Sequence, residues 1–276
     1  MDTAIDLPAY LRRVGYATAV HNDLATLRGL AAHHAAAIPF ENLDPWSGVP
    51  ARLDLGAVEE KLVAGRRGGY CFEQNALFAA VLTQLDYGVT RLSARVLWGR
   101  DDGAIAPRSH MLLKVDLDDG PAIVDVGFGG LTLTGALALT ADITQATPHE
   151  PFRLLAVDDG YCVQAWVSDG WRSLYRFDLQ PQHPIDYEAA NWYLSTNPAS
   201  RFVSHLVAAR AAPDRRHALL DRDYAVHPLR GATERRTLAT PAELMAVLEH
   251  EFLITLPQRD ALQARVHRLF DGAPSA

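Results

Sequence analysis

A chain of 276 residues that is 49% hydrophobic can bury a large core, in one to three domains. Its formal charge of -7 and the lack of a long basic run exclude bulk nucleic-acid binding, while a local anion site remains allowed. No apolar run reaches about 18 residues, so no membrane span is expected.

The N-terminus, Met1 to Asp6, is acidic and lacks a signal-peptide pattern. Two widely separated cysteines make no disulfide framework, and a reduced cytoplasm is the expected compartment. Asp6 should cap a short helix with Pro8 in its first turn and Gly15 beyond its end. Asn22 or Asp23 starts a second helix, striped by Leu24, Leu27 and Leu30 and running on through alanines to Ala37. Pro39 ends it, leaving Phe40, Glu41 and Asn42 in a turn or loop. Asp54 opens a third helix with Val58, Leu62 and Val63 apolar. A fourth runs from Phe72 to about Leu85, where Phe78, Val81, Leu82 and Leu85 repeat at helical spacing. Residues 1–86 thus read as a helical bundle.

The period then changes. Thr90 to Trp98 alternates apolar and polar, as a half-buried strand does, and Met111 to Leu117 alternates in the next. Asp118-Asp119-Gly120 marks a turn before Ala122 to Val126. Phe152 to Val157, Tyr161 to Val167 and Trp171 to Phe177 follow, separated by Asp-Gly turns. Hairpins at this spacing predict an antiparallel barrel or sandwich over 87–184. Gln180 to Pro184 reads as a linker. Beyond it, 185–276 mixes a helix at Tyr187 to Leu194, strands at Phe202 to Ala209 and His217 to Tyr224, and helices ending near Phe252 and Phe270. The class is α+β.

The chemistry concentrates in Arg66-Arg67-Gly68-Gly69-Tyr70-Cys71-Phe72-Glu73-Gln74-Asn75. Cys71 lies in a first helical turn, where free N–H groups and the helix dipole favour a thiolate. Arg66 and Arg67 add positive charge nearby, and the glycines leave space beside the sulfur. Most buried cysteines are inert, and Cys162, inside an alternating strand, fits that description.

A cysteine nucleophile needs a base and a group to orient the base. His110 begins one strand, and Asp125 lies in its partner among apolar residues, where an unpaired carboxylate is costly. A tight turn at Asp119-Gly120 would put Lys114 opposite Asp125 and His110 about 13 Å too far along. A wider loop would put His110 there instead, and spacing leaves the two registers open. Gly127-Phe128-Gly129-Gly130 follows and is no Walker sequence, though its N–H groups could face an anion. His33-His34 lies on a helix, but no Cys or His spacing suits zinc, and no metal is expected.

These residues resemble the arylamine N-acetyltransferase family. The resemblance rests on five blocks in the family's order: Pro39 to Asn42, Arg67 to Asn75, Ser109 to Met111, Val124 to Gly129, and Ser195 to Phe202. It implies a helical bundle, a β-barrel and an α/β lid, with a Cys71-His110-Asp125 triad. It also implies acetyl-CoA as acyl donor, with no tightly bound cofactor, and an aromatic amine or hydrazine as acceptor. Ser109, Gly127, Phe128, Gly129, Gly130 and Phe202 are then expected at the donor. Phe40, Tyr70, Val96, Phe128 and Phe202 are expected at the acceptor. Ser109 stands where the family often has threonine, which keeps the hydroxyl. A monomer or homodimer is expected, working by ping-pong transfer through an acetyl-cysteine. Alternatives are a macrocycle-releasing amide synthase, a papain- or transglutaminase-like hydrolase, and a non-catalytic binding protein.

Overall fold

A computed structural model of the chain describes residues 4–100 and 105–272. Residues 1–3, which carry part of the signal-peptide argument, lie outside it, as do 101–104 and 273–276, so both ends of the expected three-part division lie outside. Local rules set the N-terminal helices. Asp6 caps α1 (Leu7–Val14) by accepting from Ala9 N–H at 2.8 Å, and Gly15 closes it at φ 70°. Asp23, not Asn22, caps α2 (Leu24–Ala37), while Asn22 donates to the Asp86 carbonyl. The stretch after Pro39 is more ordered than a loop. It holds a two-residue strand, β1 (Phe40–Glu41), and a single turn, α3 (Leu43–Trp46). The third predicted helix is short, α4 (Leu55–Glu59), and continues as a π-turn over Glu60–Ala64. The next helix, α5 (Cys71–Gln84), is buried along nearly its whole length, which matches its apolar composition on every side.

The next strands are β2 (Gly88–Val96), β3 (Arg108–Asp116), β4 (Ala122–Val124), β5 (Ala136–Ala138), β6 (Thr144–Gln145), β7 (Phe152–Val157), β8 (Gly160–Val167) and β9 (Gly170–Phe177). They form one antiparallel sheet in the order β5-β4-β3-β2-β9-β8-β7-β6, which nearly closes into a barrel. Leu92, Ala94, Leu112, Ile123, Phe152, Leu154, Val163 and Tyr175 fill its interior. The other face of β3, through Met111, Leu113 and Val115, joins the helical core around α5. A strand buried on both faces is what brings α5 and the barrel interior within one side chain of each other.

The C-terminal part departs more from expectation. The helix α6 (Glu188–Thr196) is preceded by a 3-10 turn, and Phe202 lies in a short helix, α7 (Arg201–Ser204), not at the head of a strand. Ser200 caps that turn by accepting from Phe202 N–H at 3.2 Å, which delays β10 to Val207–Ala212. The predicted strand at His217 to Tyr224 is broken by Asp221 at φ 53° into β11 (Arg215–Leu220) and β12 (Asp223–Pro228). With β13 (Glu234–Thr237) these strands make a second sheet, whose far edge is β1. Phe40 pairs with Ala209 and Glu41 with Ala208, so the stretch after α2 is clamped between the bundle and the last third of the chain. Helices α8 (Pro241–His250) and α9 (Arg259–Phe270) cover that sheet through Leu244, Leu248, Phe252, Leu262 and Val266. Among the described residues no helix is long and apolar enough to cross a membrane.

A buried ion cluster locks the start of α5 to this frame. Arg67 bonds Glu41 at 2.7 Å and Asp44 at 2.9 Å. Lys61 reaches Asp44 at 2.6 Å and Glu73 at 2.7 Å. Glu73 in turn accepts from Tyr70 N–H at 3.0 Å, one of the N–H groups ahead of the helix. Removing one member of a buried pair leaves an uncompensated charge. Arg67→Met should therefore lower the unfolding free energy by about 3–5 kcal/mol. Arg66→Met, at an exposed neighbour, should change it by less than about 0.5 kcal/mol. Denaturant titration of the two variants checks this.

Candidate active site

Cys71 is the first residue of α5 and is buried. Its thiol points toward the backbone of β3 and donates to the Ser109 carbonyl at 3.7 Å. That carbonyl is available because the β2–β3 register slips: Ala94 faces His110, but Arg95 faces Arg108. Ser109 is the extra residue of this bulge, the kind of irregularity that re-aims a strand. The glycines before Cys71 serve a different purpose from the one expected. A Cβ on Gly68 would lie 2.0 Å from the Pro39 carbonyl oxygen, so the space belongs to the β1 segment and not to the sulfur. The charge of Arg67 is likewise taken up by Glu41 and Asp44. Arg66, by contrast, is exposed.

His110 and Asp125 meet, though through neither register considered from the sequence. Leu113 pairs with Val124 and Val115 with Ala122. The turn therefore centres on Asp118-Asp119, and Gly120 closes it at φ 106° with its N–H on the Leu117 carbonyl. Continued one step, this register puts Leu112, not Lys114 or His110, across from Asp125. His110 is two residues along on the same face as Leu112, and the pair closes diagonally at 2.7 Å, His110 Nε2 to Asp125 Oδ2. Lys114 pairs with Asp116 instead.

Asp125 has no exposed surface, and its second oxygen is also satisfied. Oδ1 accepts from Asn75 Nδ2 at 3.0 Å and from Gly127 N–H at 2.9 Å. Asn75 also donates to the Met111 carbonyl at 2.8 Å and accepts from Val126 N–H at 3.2 Å. It lies one turn beyond Cys71 on the same face of α5, so a single side chain ties the nucleophile's helix to the carboxylate. Burial pulls the His110 pKa down, but the charge and hydrogen bond of Asp125 and the hydrogen bond of Cys71 push it up to about 10. Burial raises the Asp125 pKa, and His110, Asn75 and Gly127 together hold it below the ordinary carboxylate value.

Aromatic rings wall the site. Phe128 sits edge-on to His110 at 5.3 Å, and Tyr175 is 4.8 Å from His110 and 5.1 Å from Phe128. Burial first, then Asp125, holds the Tyr175 phenol well above its usual pKa, so it stays protonated beside that carboxylate. Val96 pairs with Tyr175 across β2 and β9. Phe202 packs 5.8 Å from Phe40 and 5.5 Å from Tyr70. Tyr70 itself is fully enclosed, with its hydroxyl bonded to Asn191 of α6. The glycine segment is split in position. Gly127 packs on Cys71, while Gly129 N–H donates to Thr132 Oγ1 at 2.8 Å and Gly130 has open space where a Cβ would sit. Sequence reasoning assigned no role to Asn75 or Tyr175. Asn75 sits in the cysteine block and could have been found at one helical turn from Cys71; Tyr175 had only its inward parity in β9. Among the described residues no group of three or more His, Cys, Asp or Glu side chains is arranged to hold a metal ion.

An N-acetyltransferase family model matches residues 23–261. The arylamine N-acetyltransferase of Mycobacterium tuberculosis is 44% identical over 280 residues, covering 99% of each chain. That of Escherichia coli is 41% identical, over 88% of this chain and 86% of the other. The solved structure of Mycobacterium marinum arylamine N-acetyltransferase in complex with CoA superposes with a TM-score of 0.92 at 41% identity, covering 96% of this chain and 99% of that one.

The contact between α5 and the segment after β4 gives a direct test of the site's tolerance. A Cβ on Gly127 would lie 2.8 Å from Cys71 Cα, 2.9 Å from Asn75 Nδ2 and 3.1 Å from Gln74 Cβ. Helix and strand must then separate. Gly127→Ala should slow alkylation of Cys71 by iodoacetamide about 100-fold and lower the thermal midpoint. Gly130→Ala, with nothing within 4 Å, should leave the midpoint unchanged.

Proposed function

Because this chain belongs to the arylamine N-acetyltransferase family, we propose that it moves an acetyl group from acetyl-CoA to an arylamine or arylhydrazine in two half-reactions through Cys71. The observation that carries the mechanism is the buried His110–Asp125 pair, bonded at 2.7 Å, with the buried Cys71 thiol beside it as one of the groups that raise the His110 pKa. His110 takes the Cys71 proton and becomes imidazolium, stabilised by Asp125. The thiolate attacks the thioester carbonyl, forming a carbon–sulfur bond. The N–H groups in the first turn of α5, which have no intrahelical carbonyl, stabilise the oxyanion. As the tetrahedral intermediate collapses, CoA leaves as a thiolate and takes the proton from His110. The amine nitrogen then attacks acetyl-Cys71, His110 accepts its proton, and the Cys71 thiolate departs. An arylamine suits this site because its nitrogen is weakly basic and keeps its lone pair near neutral pH.

In this account Phe40, Phe128, Phe202 and Val96 pack against the acceptor ring, with Tyr70 behind Phe202. Ser109, Gly129 and Gly130 lie along the donor's approach, and Gly127 acts by letting α5 come close. We divide the chain near residues 86 and 184 and place the enzyme in the cytoplasm as a monomer or homodimer, where the free Cys71 thiol would stay reduced.

Brief mixing of the protein with acetyl-CoA alone, followed by intact mass, tests the first half-reaction. One acetyl adduct is expected on the wild type and none on Cys71→Ala, and an added arylamine should discharge it. An adduct that no arylamine discharges would point to another acceptor, and no adduct at all would overturn the acetyl-transfer proposal.

Asp125→Asn should reduce the acetylation rate by about 10²–10⁴-fold, because the imidazolium loses its counter-charge. Its effect on stability should depend on pH. The folded pKa of His110 lies above its unfolded value of 6.5, so the pairing stabilises fully below pH 6.5 and fades as pH rises toward about 10. The gap in unfolding free energy between wild type and Asp125→Asn should narrow over that interval, as read by urea titrations at successive pH values.

A further inference from the structure

The site is also gripped from behind by a second, uncharged chain of side chains. His34, in the last turn of α2, is fully buried. Its Nδ1 lies 3.0 Å from the Tyr10 hydroxyl of α1, and its Nε2 lies 2.6 Å from Gln74 Oε1 of α5. The Gln74 amide nitrogen donates to the Pro39 carbonyl at 2.7 Å and to the Gly69 carbonyl at 3.2 Å. Those two carbonyls belong to the segments that carry Phe40 and Cys71, which also bond each other: Gly69 N–H to the Pro39 carbonyl and Glu41 N–H to the Gly69 carbonyl.

Donor and acceptor roles along this chain are forced. Two carbonyls can only accept, so the nitrogen end of the Gln74 amide faces them and its oxygen faces His34. His34 Nε2 must then carry the proton, and Nδ1 of the neutral ring must accept from Tyr10. Burial, the largest influence, outweighs the Gln74 bond and pulls the His34 pKa down to about 4, so the ring is neutral at working pH. The ring is further held edge-on by Phe78 at 5.3 Å.

We propose that Tyr10, His34 and Gln74 form a one-directional hydrogen-bond relay, with His34 as a positioning residue that fixes the Pro39-Phe40 and Gly69-Tyr70-Cys71 segments relative to each other for acyl transfer. The proposal rests on the acetyl-transfer account above. It gives the buried histidine a task that neither the triad nor the ion cluster performs. A flipped Gln74 amide would turn its oxygen toward two carbonyls, and the two segments would be pushed apart. In the unflipped orientation the His34 Nε2–H meets the amide oxygen, which adds to the bias that the two carbonyls set.

The test uses His34→Phe, Gln74→Glu and Tyr10→Phe, with two readouts. One is the rate of Cys71 acetylation by acetyl-CoA and the KM for an arylamine. The other is the ¹⁵N and ¹H spectrum of His34. In the wild type a single Nε2–H tautomer should persist from pH 6.5 to 9, a pH range above the lowered pKa of this ring. His34→Phe and Gln74→Glu should slow acetylation about tenfold or more and raise the arylamine KM. Tyr10→Phe, at the far end, should cost about twofold to fivefold and keep the Nε2–H tautomer, because the two carbonyls still hold the Gln74 amide. If His34→Phe and Gln74→Glu fold and acetylate within about twofold of wild type, the relay is overturned. If they do not fold, Tyr10→Phe and the wild-type spectrum decide: unchanged kinetics in Tyr10→Phe, or an Nδ1–H tautomer in the wild type, overturn it. Acetylation of the wild type in the same series separates failure of the relay from failure of the acetyl-transfer account.

Discussion

A carboxylate with no exposed surface has lost its water, at a cost of several kcal/mol unless donors replace it. Asp125 is such a group, and its donors come from separate places in the chain. His110 arrives from β3, Asn75 from α5, and Gly127 from the segment that continues β4. Satisfying the carboxylate therefore requires the helix, the strand and the turn to be in place together. The same assembly puts Cys71 against His110. The condition for folding this corner of the molecule and the condition for the proposed base are one condition.

The electrostatics divide into two compartments that meet at the first turn of α5. On one side Glu41, Asp44 and Glu73 face Arg67 and Lys61, three carboxylates against two cations. That cluster holds structure and has no positive charge to spare for the sulfur. On the other side the cation facing the thiol is His110, made basic by Asp125. In the proposed mechanism, activation of the cysteine therefore rests on one imidazolium and the helix N-terminus. The arginines that precede it serve the fold.

Much of this was legible in the sequence, and the failures have physical causes. Helical and strand periods located α1, α2, α5 and the barrel strands β2, β3, β4, β7, β8 and β9, because burial of one face or of all faces leaves a periodic trace; β5 and β6, of three and two residues, were too short to leave one. The cysteine block marked Cys71, which the structure places at the first residue of α5. The register of Asp125 was not legible. An Asp-Asp-Gly turn can close at either pair of residues, and each one-residue slip moves the partner by two positions. The diagonal contact with His110 lay between the two registers that spacing allowed. The Ser109 bulge left no mark in the alternation, since arginine and serine on either side fit a half-exposed strand. Phe202 was misplaced because Ser200 caps a turn that composition alone does not separate from a strand start. β1 escaped because two residues carry no period at all.

Two supports of opposite character bear on the same few backbone groups. The ion cluster takes hold of Tyr70 N–H through Glu73 and of Gly68 N–H through Glu41. The neutral chain through His34 takes hold of the Pro39 and Gly69 carbonyls. Charges secure the donors and an amide secures the acceptors, so the segment before Cys71 is fixed at both polarities. Neither support could replace the other. A second carboxylate facing the carbonyls would repel them, and a further cation there would add charge beside the Cys71 thiol. An uncharged histidine and glutamine meet both constraints, since they order the backbone and leave the charge at the nucleophile to His110 alone.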